Sequence, residues 1–394
     1  MAAPSAAPDV VLDVEGLHAL ITTLAADGWT VLGPVVQDGA VVPGPVTGMA
    51  DLPGGVGDDQ QPGSYRLRER DDAAYFGWAT AATSWKPVLF PSRHLLWRGT
   101  RTPDGFTTQR PEEAPPRLAL LGVRSCDLAA MAVHDRVLAQ RWGDRPAADP
   151  DYAARRDHLF VVAVTCGEPA STCFCLAAGT GPAPHDGYDL ALTEVLDDHG
   201  HRFVVQVGTP AGADLLGRLP ARAAEPTDES AAQAVLAHAR AALQQRRLTT
   251  DGLPALLDAE VEHPLWDDVA ERCLACGNCT AVCPTCFCTS VQDVTDLSGD
   301  HTERWRVWDS CFSAGFSYVH GGPVRSSTKA RYRQWLSHKL GTWPAQFDTS
   351  GCVGCGRCLT WCPVGIDITH EVAELRATAR TPVARREPER AVTS

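Results

Sequence analysis

Two cysteine runs in the carboxyl-terminal third carry the clearest chemistry: Cys273-Leu-Ala-Cys276-Gly-Asn-Cys279-Thr-Ala-Val-Cys283-Pro284 and Cys352-Val-Gly-Cys355-Gly-Arg-Cys358-Leu-Thr-Trp-Cys362-Pro363. Each reads C-x2-C-x2-C-x3-C-P. Three thiolates on one tight loop reach three corners of an iron–sulfur cubane, while the fourth, carried onward to a proline, points to the other cluster. The spacing therefore pairs Cys273, Cys276 and Cys279 with Cys362, and Cys352, Cys355 and Cys358 with Cys283. Structural zinc takes four ligands from two short C-x2-C knuckles, a poor match to eight cysteines in two identical runs. Gly277, Gly354 and Gly356 suit loops whose N–H groups must approach sulfide without a Cβ in the way.

Seven cysteines remain. Cys126 follows the strand-like run Leu118 to Val123, and Cys166 follows Leu159 to Val164, so neighbouring parallel strands would bring both to one sheet edge. With Cys173 and Cys175 they could form a third cluster site. Cys166-x6-Cys173-Phe-Cys175 has the spacing of Cys279-x6-Cys286-Phe-Cys288, a likeness too short to establish duplication. Cys286, Cys288 and Cys311 lack a fourth protein ligand and are left without a role, unless they act as thiols.

The stretches Gly122-Val-Arg-Ser-Cys126-Asp-Leu, Cys166-Gly-Glu-Pro-Ala-Ser-Thr-Cys173-Phe-Cys175, Cys283-Pro-Thr-Cys286-Phe-Cys288, Trp308-Asp-Ser-Cys311 and Trp361-Cys-Pro-Val-Gly-Ile-Asp367 resemble the beta subunit of cytoplasmic sulfhydrogenases, the NADP-linked [NiFe] hydrogenases. They are also similar to the electron-transfer subunit of anaerobic sulfite reductase, which shares the family. The likeness runs from about Trp85 to Asp367; the first 80 residues and the tail carry no signature. It implies an electron-transfer subunit of an oxidoreductase with two [4Fe-4S] clusters, or three. The implied partners are a subunit binding FAD and NAD(P), and either hydrogenase small and large subunits or a sulfite reductase catalytic subunit. Reduction of sulfur or polysulfide by the chain itself, through Cys286, Cys288 or Cys311, is a further alternative. No catalytic residue is expected here. No G-x-G-x-x-G follows a strand and no P-loop occurs, so nucleotide chemistry belongs to a partner.

The elements that must position these residues divide near residue 250, giving an α+β chain. Residues 1–250 read as a mixed α/β domain, 251–375 as a largely helical ferredoxin-like two-cluster domain, and 376–394 as a disordered tail. Val14, Leu17, Leu20, Ile21 and Leu24 mark an amphipathic helix. Trp29 to Val36, Leu118 to Val123, Leu159 to Val164, Leu190 to Val195 and Phe203 to Val207 read as strands. The Gly/Pro-rich stretch Gln37 to Gly63 reads as loop. Thr227 can cap a helix reaching about Arg247, and Pro264 interrupts a helical run from Asp258 to Arg272.

The 394 residues, 44% apolar and 21% charged, suffice for two or three packed domains. Fifteen cysteines cannot all pair, which points to a reducing, cytoplasmic setting. A formal charge of −13 disfavours nucleic acid and anionic membranes, and no apolar run is long enough to span a bilayer. Only Lys86, Lys329 and Lys339 break the preference for arginine, which reads as codon-usage bias. Arg325, Lys329, Arg331, Arg333 and Lys339 form a basic stretch that could be a solvated helix face, dock an acidic partner or offset the charge of thiolate-ligated clusters.

Overall fold

The computed structural model describes residues 10–111, 115–139 and 148–379. Its largest unit is an eight-stranded mixed sheet. Across it run Arg222–Ala223, Val10–Asp13, Gly200–Val207, Leu190–Asp197, Leu159–Val164, Leu118–Arg124, Thr30–Gln37 and Ala40–Pro45. The centre is parallel: Leu118–Arg124 lies between Leu159–Val164 and Thr30–Gln37. All seven residues of Leu118–Arg124 are buried, as expected of a strand covered on both faces. Helix Val14–Ala26 packs Leu17, Leu20, Ile21 and Leu24 into this core, and the Asp13 carboxylate caps its start by accepting from Gly16 N–H at 2.7 Å.

The central strands set the register for the site. Arg124 lies opposite Val164, so Cys126 and Cys166, each two residues onward, leave the same sheet edge. The pairing shifts between Leu121 and Val123, around Gly122 at φ +83°. This bulge, a conformation that favours glycine, turns the chain into helix Ser125–His134, whose second residue is Cys126.

The expected loop from Gln37 to Gly63 instead contains strands Ala40–Pro45 and Val56–Gln61. Ala40–Pro45 is an edge strand, where Pro43 and Pro45 can be accommodated without breaking an interior ladder. The predicted helix near residue 227 spans Pro226–Leu243, and its N-cap is Glu225, boxed with Asp228, rather than Thr227. Helices Leu253–Ala259 and Leu265–Arg272 flank the break at Pro264.

A second core gathers Trp266, Tyr332, Trp335, Leu336 and Leu359, from helices Leu265–Arg272 and Thr328–Ser337 and the second cysteine loop. Helix Ile368–Thr378 closes it and runs three residues beyond the boundary read at 375. Residues 380–394, most of the expected tail, lie outside the described residues. The carboxyl-terminal region is not helical throughout. Its hairpin Thr289–Thr295 and His301–Trp308 joins Arg93–Thr102 and Gly105–Gln109 in a four-stranded sheet. Segments on either side of residue 250 thus share one hydrogen-bonded ladder. Among the described residues no helix is long and apolar enough to cross a membrane.

Candidate metal centres

The two cysteine loops fold alike. In each, the first Sγ accepts the N–H two residues on: Ala275 to Cys273 at 3.4 Å, and Gly354 to Cys352 at 3.5 Å. Each then turns through a left-handed glycine, Gly277 at φ +76° or Gly356 at φ +77°, into a one-turn helix, Asn278–Ala281 or Arg357–Thr360. The short helix carries the third cysteine and delivers the fourth beyond its end. Ile366 N–H also donates to Cys362 Sγ at 3.3 Å.

Cys362, the fourth cysteine of the second run, lines one pocket with Cys273, Cys276 and Cys279 of the first. Cys273, Cys276 and Cys362 all act electrostatically on Cys279, and Cys362 and Cys276 on Cys273. Cys352, Cys355 and Cys283 act on Cys358, while Cys283 also acts on Cys352 and Cys355. The two groups meet where Cys279 acts on Cys358. Burial pushes the Cys279 and Cys358 thiols well up and Cys352 to about 12. Such thiols become thiolates when a metal takes the proton's place. Soft donors, inward N–H groups and a Phe312, Tyr332, Trp335 wall make this donor set fit iron–sulfur cubanes.

The amino-terminal cysteines also converge. Cys166 acts on Cys173 and Cys175, and Cys175 on both Cys126 and Cys173. All four are buried. Ser125 Oγ ties the following loop down by donating to Thr180 and Ala183 carbonyls at 2.7 and 2.8 Å. The buried Arg124 guanidinium donates to Thr165 O at 2.9 Å and Phe76 O at 2.8 Å, lies over the Trp78 ring, and opposes the rise that burial imposes on Cys166.

This amino-terminal group abuts the second cysteine loop. Phe174 N–H donates to Gly354 O at 2.8 Å, and Cys173 Sγ to Cys355 O at 3.6 Å. A Cβ on Gly354 would stand 2.6 Å from Phe174 backbone atoms, and one on Gly356 would stand 2.6 Å from those of Thr172. Arg357, fully buried, forks onto Asp127 at 2.9 and 3.0 Å and donates to Ala81 O at 2.8 Å. Thr360 Oγ1 meets Thr172 Oγ1 at 2.9 Å and Gln60 Oε1 at 3.0 Å.

Two lysines absent from the predicted site line it. Lys339 Nζ donates to Cys283 Sγ at 3.2 Å, Cys286 Sγ at 3.7 Å, Thr285 Oγ1 at 3.1 Å and Gly351 O at 3.0 Å. A hydrogen bond from Cys286, with Lys339 and Lys86 nearby, holds Cys283 well below the ordinary thiol value. Lys86 Nζ lies 3.9 Å over the Trp308 ring and donates at 3.3 to 3.4 Å to the Ala281 and Thr280 carbonyls. Of the basic stretch, Lys339 hydrogen-bonds cysteine sulfur and Arg325 acts electrostatically on Cys311, while Lys329 binds Asp267 and Arg331 the Arg325, Ser326 and Phe312 carbonyls. The legible signal was retention of lysine in an arginine-rich chain.

Residues 272–366 match the family model described as a 4Fe-4S dicluster domain. The sulfhydrogenase 2 subunit beta of Pyrococcus furiosus is 33% identical over 265 residues, covering 66% of this chain and 74% of that protein. No solved structure matches.

Proposed function

The chain belongs to the family of sulfhydrogenase beta subunits, and from that premise we propose that it relays electrons between a flavin- and NAD(P)H-binding partner and a nickel–iron hydrogenase centre. The observation carrying this reading is the contiguity of three four-cysteine groups. Cys273, Cys276, Cys279 and Cys362 form the outer group, with Cys276 exposed. Cys279 adjoins Cys358 of the inner group, Cys352, Cys355, Cys358 and Cys283. Cys355 in turn acts on Cys126, Cys173 and Cys175 of the amino-terminal group.

Each group is proposed to hold one cluster. When bound, [4Fe-4S] clusters supply reversible one-electron chemistry, with potentials set by burial, charge and hydrogen bonds to sulfur. The residues of the chain supply those settings. Lys339 places positive charge on Cys283, and Arg124 places it near Cys166. Phe312, Tyr332 and Trp335 wall one side of the outer group, whose Cys276 edge stays exposed. No residue is assigned acid–base catalysis, and FAD and NAD(P) are assigned to the partner. Thiols in this number suit a reducing cytoplasm.

Iron and acid-labile sulfide, counted on the full chain purified without oxygen, test the reading. Cys126→Ala with Cys173→Ala is expected to remove about four irons and leave the dithionite-reduced paramagnetic signal of the other groups. Unchanged iron would delete the amino-terminal site. A colourless wild type, silent in electron paramagnetic resonance after dithionite, would overturn the relay. Capture of the native complex separates the assemblies: a nickel–iron subunit with a flavoprotein supports the proposal, whereas a sirohaem protein moves the chain to an anaerobic sulfite reductase.

A further inference from the structure

Cys286, Cys288 and Cys311 belong to none of these groups, yet they are not scattered. Lys339 acts on all three: it donates to Cys286 Sγ at 3.7 Å and opposes the rise that burial imposes on Cys288 and on Cys311, which reaches about 12. Cys288 acts on Cys311, and Cys311 acts on Cys279 of the outer group. Cys286 meets Cys283 of the inner group. Cys286 and Cys288 line one groove with Cys276 of the first loop and with Asp309 and Ser310, which lead into Cys311, while Lys339 ties Cys286 to Cys283.

Charge makes their state chemically demanding. Two of the three lysines in the chain are buried here, Lys86 and Lys339 each 5% exposed, and among the described residues neither makes a salt bridge with a carboxylate. Burying an ammonium group is costly unless opposite charge stands beside it. The opposing charges are sulfurs: Cys286, Cys283 and Cys288 for Lys86, and Cys283, Cys286 and Cys352 for Lys339. Ligated sulfur at Cys286 and Cys288 would add to the negative charge that the inner group sets beside both.

The spacing selects the metal group. Phe287 packs on Trp343 and Phe347, and Cys288 O accepts Asp309 N–H at 2.8 Å, continuing the ladder of the Thr289–Thr295 strand. Residues two apart along an extended chain stand about 6.5–7 Å apart on one face. That suits the corners of a cubane better than tetrahedral zinc, whose sulfurs lie about 3.8 Å from one another. The same C-x6-C-Phe-C spacing places Cys166, Cys173 and Cys175 in the amino-terminal group. A groove beside the thiols is lined by Lys86, Cys276, Cys286, Cys288, Trp308 and Asp309.

We propose that Cys286, Cys288 and Cys311 hold a further iron–sulfur cluster whose fourth corner is left to a non-cysteine group, with Asp309 the carboxylate at hand. This goes beyond the three-group relay and does not depend on the amino-terminal site. The test compares iron and sulfide in the oxygen-free full chain with those in the Cys286→Ala, Cys288→Ala, Cys311→Ala triple variant. The variant is expected to hold about four fewer irons than the wild type, however many the wild type holds. Equal iron in the two proteins, or zinc lost in place of iron, overturns the proposal. Alkylation of the native, iron-loaded wild type gives a readout independent of folding in the variant. Protection of the Cys286, Cys288 and Cys311 peptides, followed by their labelling once iron is stripped, supports the cluster, and rapid labelling with iron retained overturns it.

Discussion

The first and second cysteine loops share a spacing, a backbone path and a sulfur-directed N–H, yet they occupy opposite environments. In the first, Leu274 is 64% exposed and Asn278 faces solvent; in the second, the equivalent Val353 is 3% exposed and Arg357 is sealed against Asp127. The cysteines and turn residues encode the loop. The residues between them encode where it is set, one loop at the surface where a partner can approach and the other against the amino-terminal thiols.

The sharpest way to break this comparison is to exchange the non-cysteine residues. Arg357→Met leaves Asp127 buried and unpaired and is expected to cost about 3–5 kcal/mol in anaerobic urea unfolding. Asn278→Met, at the equivalent exposed position, should stay within about 0.5 kcal/mol. Equal costs would show that the two loops are not set differently. Gly354→Ala comes next. Its Cβ meets Phe174 and Cys175 backbone atoms at 2.6 to 2.7 Å, at φ +65°, and a loss of about 2 kcal/mol or more is expected by the same measurement.

Metal removal sharpens the contrast kinetically. A chelator reaching iron through the exposed Cys276 edge should strip the outer group about tenfold faster than the inner, a barrier difference of about 1.4 kcal/mol. Iron release followed by absorbance would then be biphasic; a single phase would contradict unequal shielding. The smallest effect is expected at Ala275, which holds the left-handed turn at φ +51° where the second loop has Gly354. Ala275→Gly should relieve strain and stabilise by about 0.5 kcal/mol, read as a small rise in the unfolding midpoint.

The cysteine loops were legible because their chemistry is local: ligand spacing, a glycine turn and a proline lie within a dozen residues. The parallel strands were legible too, since continuous apolar runs such as Leu159–Val164 have few other uses, and their register places Cys126 beside Cys166. What remained hidden is long-range. Arg357 and Asp127 are 230 residues apart, and neither has a flanking pattern that names the other. Ala40–Pro45 was hidden by its prolines, which an edge strand tolerates. Lys86 and Lys339 looked like leftovers of codon usage, although scarcity made their placement informative. The hairpin Thr289–Trp308 lies inside the region read as largely helical, because its partner strand is 205 residues away at the Arg98 and Glu303 pair and nothing local names it.

The sheet that joins Arg93–Thr102 to His301–Trp308 has a consequence for biosynthesis. Arg98 and Glu303, which pair across it, are 205 residues apart, so the earlier strand leaves the ribosome long before its neighbour exists. Until then it presents an open edge, and non-local pairing of this kind is slow to form. The four-stranded sheet therefore closes only after His301–Trp308 has been synthesised, and the second cysteine run, from Cys352 onward, emerges later still.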